Sequence, residues 1–238
     1  MRGFRFLLPM VIAIAIVSCN NKINNNSDEL VLERKVDSVL MLMTLEEKIG
    51  QLNMLSGHGE FTGPVTEGHS YIDAIKQGRL GAMLNVNGVA YTRRIQEMTL
   101  QESRLGIPML FGYDIIHGYK TIFPVPLAEA CSWDMEAIEK SARIAAIEAS
   151  ASGQQWTFAP MVDITRDPRW GRIMEGAGED PYLGSLIAAA RVRGFQGDDL
   201  SAPNTIAACV KHFAAYGAAE GGRDYNTTDM SERTLREI

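Results

Sequence analysis

Little in this 238-residue sequence points to metal, disulfide or nucleic-acid chemistry. Its three cysteines, Cys19, Cys131 and Cys209, are scattered, with neither a zinc spacing nor a disulfide framework. The four histidines, His58, His69, His117 and His212, show no ligand spacing on one helix face, so neither a metal nor a cofactor is expected. No basic block interrupts a chain of net charge -6, which argues against nucleic acid as a partner. The apolar run at the amino terminus, Leu7 to Val17, is broken by Pro9 and is too short to span a bilayer as a stable helix. There is no internal repeat. What remains is 46% hydrophobic content, enough for one sizeable core.

The amino terminus reads as a targeting segment. Arg2 and Arg5 precede the apolar run, and Ile16-Val17-Ser18-Cys19 resembles a bacterial lipobox, whose cysteine is lipidated. Residues 1–19 are therefore expected to be a signal peptide with Cys19 as the lipidation site. Residues 20–29, rich in asparagine, read as a polar tether. The competing reading is an ordinary cleaved signal with an incidental cysteine. Either way the protein is exported, to the periplasm or the outer membrane, with a lipid anchor in the favoured case. Cys131 and Cys209 lie in apolar contexts and are expected to be buried free thiols.

From Asp28 onward helix and strand signals alternate, which predicts βα units and a parallel sheet. Leu32, Val36, Val39, Leu40 and Met43 fall at helical spacing between Leu30 and Met43. Thr44 and Glu47 form a capping box that opens a short helix through Leu52. Strands are expected at Leu80 to Leu84, Ile107 to Tyr113, Trp156 to Val162 and Thr205 to Phe213. Helices are expected at Thr92 to Leu105, from the Asp134 cap to Gly153, from Asp180-Pro181 to Gly194, and from Ser231 on.

Ionisable residues gather where these strands end. Lys211-His212-Phe213 closes the last one, and Phe111-Gly-Tyr-Asp114-Ile-Ile-His117-Gly118 closes the second. The third, Trp156 to Asp163, runs into the segment RDPRWGRIMEGAGEDPYL, Arg166 to Leu183. Together with Met43 to Leu52, these motifs resemble the N-terminal barrel of family 3 glycoside hydrolases, from about Leu30 to the last residue. The resemblance implies an α/β fold: the N-terminal half of a (β/α)8 TIM-like barrel over residues 30–238, truncated before the later strands. Four convincing strands against the eight of a full barrel fit that expectation. Half a barrel leaves strand edges open and an apolar face uncovered.

The resemblance also implies an activity, hydrolysis of terminal non-reducing β-D-glucosyl residues with retention, and a partner, a β-glucoside or oligosaccharide. It assigns sugar gripping to Asp114, Arg172, Lys211 and His212. Read without it, Asp114 is a helix or turn cap, and Arg172 is a structural ion-pair partner of Asp180 or Glu179. Arg166 and Arg169 are expected to be structural, and His117 and Trp170 to pack or to support the residues that touch the sugar. Asp163 should pair with a nearby arginine. Glu220 and Asp224 read as solvated loop residues, with the pocket rim as the alternative. Lys211 and His212 cannot both reach one sugar from a regular strand, because consecutive side chains alternate faces. Irregular backbone, a non-proline cis peptide or an unusual dihedral, is expected between residues 211 and 213.

The family's nucleophile is an aspartate in a Ser-Asp-Trp or Ser-Asp-His motif, which does not occur in this sequence. Its acid/base comes from further downstream. No catalytic residue is therefore expected within these 238 residues, and the chain alone is expected to be an inactive fragment. Alternatives are a β-xylosidase or exo-β-glucanase of the same family, or a non-catalytic lipid-anchored sugar-binding protein. The β-N-acetylglucosaminidase branch is disfavoured, since no histidine follows His212.

Overall fold

The computed structural model describes residues 29–57 and 71–238. The signal segment, Cys19, the tether up to residue 28, and His58 and His69 lie outside the described residues. The chain divides into two compact units, one up to Lys48 and one from Ile49 on.

In the first unit, residues 29–42 form helix α1. The capping box is present: Thr44 N–H donates to Glu47 Oε2 at 2.9 Å, and Glu47 N–H donates to Thr44 Oγ1 at 3.2 Å. It opens α2, Leu45–Gly50.

The second unit is built on a parallel sheet whose strands lie side by side in chain order: β1 (Met54–Ser56), β2 (Ala82–Leu84), β3 (Leu110–Tyr113) and β4 (Trp156–Thr157). The register runs Leu55 to Met83 to Phe111, then Gly112 to Trp156. Sequential parallel neighbours are the strand arrangement of a (β/α) barrel wall. Helices alternate with the strands: α3 (Tyr71–Lys76), α4 (Val89–Glu102), α5 (Pro126–Ala130), α6 (Met135–Ala151) and α7 (Pro181–Gln196). A short α8, Glu232–Glu237, starts at the Ser231 cap.

Sequence and structure differ in several elements. The expected third strand, Trp156 to Val162, is regular only over Trp156–Thr157. The expected first strand is the second; β1 precedes it, where three residues are too few for a period to show. Helices α3 and α5 were not foreseen, and both are short. The expected last strand, Thr205 to Phe213, is not a continuous strand. It runs beside β4 and its extension through single bridges, Trp156 to Ala207 and Met161 to Lys211. Thr157 N–H donates to Ala207 O at 2.9 Å, and Val162 N–H donates to Lys211 O at 2.7 Å. The peptide bonds Ala159-Pro160, Lys211-His212 and Phe213-Ala214 are cis. The irregular backbone expected between residues 211 and 213 is present.

The core lies on the helix side of the sheet. Met83 and Phe111 pack with Ile75, Leu80, Val86, Ile95 and Met109. Ala142, Ala145, Ala146 and Ala149 of α6 pack with Ile115, Phe195 and Ile206. This small-residue face lets α7 come close: a Cβ on Gly194 would stand 2.3 Å from Glu139 O. Larger side chains there would hold the helices apart. Asp134 Oδ1 accepts from Ala137 N–H at 3.0 Å at the start of α6, and Asp180 Oδ1 from Tyr182 N–H at 2.8 Å at the start of α7. Two cysteine expectations are corrected. Cys131 is exposed and Cys209 only half-buried. Cys131 is the residue that ends α5, so its apolar context does not enclose it.

Candidate functional site

A cavity of about 800 Å³ is lined by Met54, Leu84, Asp114, Phe158, Arg172, Lys211, His212, Tyr216 and Tyr225. All four residues expected to grip a sugar line it. They arrive from three stretches of chain. Asp114 follows the last residue of β3. Arg172 precedes a single 3-10 turn, Ile173–Glu175. Lys211 and His212 sit on either side of a cis peptide bond beside the extension of β4.

The polar groups are interlocked. Lys211 Nζ lies 3.1 Å from Asp114 Oδ1 and 3.8 Å from Glu175 Oε2. Arg172 meets Glu175 in a fork: Nε donates to Oε1 at 2.6 Å and Nη2 to Oε2 at 2.8 Å. Such bidentate charge-assisted pairs are geometrically demanding and strong. Burial alone would raise the Glu175 carboxyl. The Arg172 guanidinium outweighs it, with Lys211 adding to the effect, so the carboxyl is held below its ordinary value. Donating the same hydrogen bonds to Glu175 raises Arg172, against the opposing effect of burial. Glu175 is thus a fixed anion, which orients Arg172 rather than exchanging protons near neutral pH.

His212 is held from below. Its backbone N–H and its Nδ1 both reach Asp163 Oδ2, at 3.1 and 2.8 Å. The Asp163 side chain is only 1% exposed. Tyr216 fills the space between these groups: its ring is edge-on to His212 at 4.8 Å and to Trp170 at 5.1 Å, and the Arg172 guanidinium lies 5.5 Å from its centre. Burial pushes the Tyr216 hydroxyl up, as does the Asp224 carboxylate. Asp224 in turn is lowered by that hydroxyl and accepts from Trp170 Nε1 at 2.9 Å. Residue 217 must be glycine for this packing: a Cβ there would stand 2.4 Å from Ile164 O. Ala215 and Tyr225, in the left-handed region at φ 64° and 57°, are the turns that bring the two tyrosines to the cavity.

Several expectations are corrected here. Asp163 does not pair with an arginine but with His212, because the Val162–Lys211 hydrogen bond sets residues 163 and 212 side by side. Arg172 pairs with Glu175 and not with Asp180 or Glu179; Asp180 is engaged as the α7 cap. His117 lies 3.1 Å through Nδ1 from Phe123 O and lines a second cavity, of about 340 Å³, with Asp114, Arg172 and Glu175. Arg169 is a structural partner as expected, bound to Asp167 at 2.6 Å, and Trp170 is buried. Glu220 and Asp224 line neither cavity.

Glu175, Asp163, Tyr216 and Tyr225 were not foreseen as site residues. For Glu175 a signal existed, since it stands three residues after Arg172, within reach on one turn. For Asp163 none did, because its partner is set by the neighbouring segment and not by local spacing.

With the geometry in view, comparisons with known proteins become informative. Residues 44–238 match the family described as "Glycosyl hydrolase family 3 N terminal domain". The chain is 43% identical over 200 residues to the periplasmic beta-glucosidase of Salmonella typhimurium, covering 84% of this chain and 26% of that protein. A putative beta-xylosidase of Formosa agariphila is 30% identical over 238 aligned residues, covering 92% of this chain and 32% of its own length. The structure of a beta-glucosidase from Listeria innocua in complex with isofagomine superposes with a TM-score of 0.80 at 47% identity, over 85% of this chain and 29% of that one. The chain thus spans roughly a quarter to a third of each of these relatives.

Proposed function

We propose a function for the whole protein from one established premise: the chain belongs to glycosyl hydrolase family 3, whose N-terminal domain it matches over residues 44–238 and whose TIM-barrel-like α/β fold it has. The protein is a retaining β-glucosidase that releases terminal non-reducing glucosyl residues, and this chain supplies much of the pocket for the sugar. One observation carries the reading. Asp114, Arg172, Lys211 and His212, named from the sequence, meet in a single cavity. A sugar ring presents hydroxyls that both donate and accept. Lys211 and Arg172 offer donors, while Asp114 offers acceptors and His212 completes the wall beside Arg172. Stacking of the apolar ring face suits Phe158, Tyr216 or Tyr225.

Retention requires two carboxyl groups about 5 to 5.5 Å apart, one nucleophile and one acid/base. The site carboxylates are engaged otherwise: Glu175 with Arg172, Asp163 with His212, Asp114 with Lys211. In this reading the catalytic pair therefore comes from other carboxylates, in the longer protein whose N-terminal domain this chain matches. In the full-length protein an aryl β-glucoside should be cleaved with retention, read from the anomer first formed. Arg172→Ala or Asp114→Ala there should lower kcat/KM about a hundredfold or more, the cost of unpairing charged groups. Turnover by the 238-residue chain alone would overturn the assignment of catalysis elsewhere. Faster cleavage of an aryl β-xyloside would favour the β-xylosidase reading, which the Formosa relative supports.

Export is part of the same reading. The positively charged start, the short apolar run and Ile16-Val17-Ser18-Cys19 support a lipid-anchored protein attached through Cys19. That a similar beta-glucosidase is named periplasmic agrees with export.

A further inference from the structure

We propose that Asp163 is a positioning residue that fixes the ring tautomer of His212, so that Nε2 is the acceptor that holds Arg172 at the cavity. The inference deepens the sugar-site reading, and it rests on that reading for its consequence on turnover.

The argument is one of donors and acceptors. Asp163 Oδ2 lies 2.8 Å from His212 Nδ1, and it accepts from the backbone N–H of the same residue at 3.1 Å. A carboxylate can only accept, so the proton of the ring sits on Nδ1. At the other end of the ring, Arg172 Nη1 lies 3.3 Å from Nε2. A guanidinium has donors alone, so a proton on Nε2 would set donor against donor. Both neighbours therefore select the same form: Nδ1–H, with the lone pair of Nε2 accepting from Arg172 Nη1. The two bonds to one oxygen of Asp163 fix the ring's plane as well as its proton. The edge-on Tyr216 ring, 4.8 Å away, leaves little room for a flip.

The choice of tautomer matters because His212 and Glu175 together aim Arg172. Glu175 accepts from Nε and Nη2 of the guanidinium, and the Nε2 lone pair accepts from Nη1. A proton on Nε2 would set donor against donor there and turn the guanidinium away from the position in which it lines the cavity. Asp163 lines neither cavity, so it acts through His212 and not on the sugar.

The test uses the full-length protein with 15N-labelled histidine, the His212 signals being identified by their loss in His212→Gln. Two-bond nitrogen–proton couplings report the tautomer. Wild type should show Nδ1–H at His212, and Asp163→Asn should move the proton toward Nε2, since an amide can donate to Nδ1. On an aryl β-glucoside, Asp163→Asn should cost about tenfold or more in kcat/KM, yet less than about threefold when added to His212→Gln, the non-additivity expected of residues acting as one unit. A wild-type His212 protonated on Nε2 would overturn the proposal with no variant needed. So would an Asp163→Asn loss that persists undiminished in His212→Gln. Nδ1–H in a protein that cleaves no glycoside would sink the sugar-site reading and leave the tautomer assignment supported.

Discussion

Arg172 and Glu175 show how much one residue's placement decides. The pair lies three residues apart on a single turn, and its fork aims the remaining face of the guanidinium at His212. Because the Glu175 carboxyl is lowered on folding, its protons bind first to the unfolded chain as pH falls. The stabilisation it gives is complete above the ordinary carboxylate value of about 4.3 and is lost as pH falls through its lower folded value. Urea midpoints measured from neutral pH downward should therefore show wild type losing stability across that window. Glu175→Gln should be less stable at neutral pH, with Arg172 left unpaired, and the gap should narrow on acidification. A gap that stays constant with pH would mean that the carboxylate's charge contributes nothing. At this scale the sequence was legible where a side chain is forced to a strand end. It was opaque where the partner is remote: Asp163 and His212 are 49 residues apart.

Among the elements, caps were the most legible signals. Asp134, Asp180, Ser231 and the Thr44–Glu47 box all cap as their residue types dictate, because a cap is settled within three or four residues. Asp134→Ala should lower stability by about 1 kcal/mol, read as a shift of the denaturation midpoint. Asp134→Asn, which keeps an acceptor, should restore most of it. The strands were placed less well. Parallel strands buried on both faces have no alternation to read, and three-residue strands such as β1 carry too little pattern. The segment from Thr205 to Phe213 has the composition of a strand but not its regular ladder, since its backbone departs from extended geometry where Lys211 and His212 enter the cavity. There the demands of the site prevail over those of the sheet.

For the molecule as a whole, family membership was legible in ordered long motifs, and the alternation of helix and strand gave the parallel sheet. Position in the cell is read from residues 1–19 alone. Growth with a radiolabelled fatty acid should mark the protein, and Cys19→Ser should abolish the label while leaving synthesis intact. An unlabelled wild-type product would refute the anchor. The cavity has a mechanical meaning as well. Its ion pair between Asp114 and Lys211 ties together points 97 residues apart in the chain. Any molecule that holds both ends is a removable staple across that span, opposing the separation of β3 from the Lys211 segment as a covalent cross-link would. At a concentration a hundredfold above its Kd, such a molecule adds about 2.7 kcal/mol to the stability of the fold. The melting temperature of this protein is thereby a gauge of what occupies its cavity.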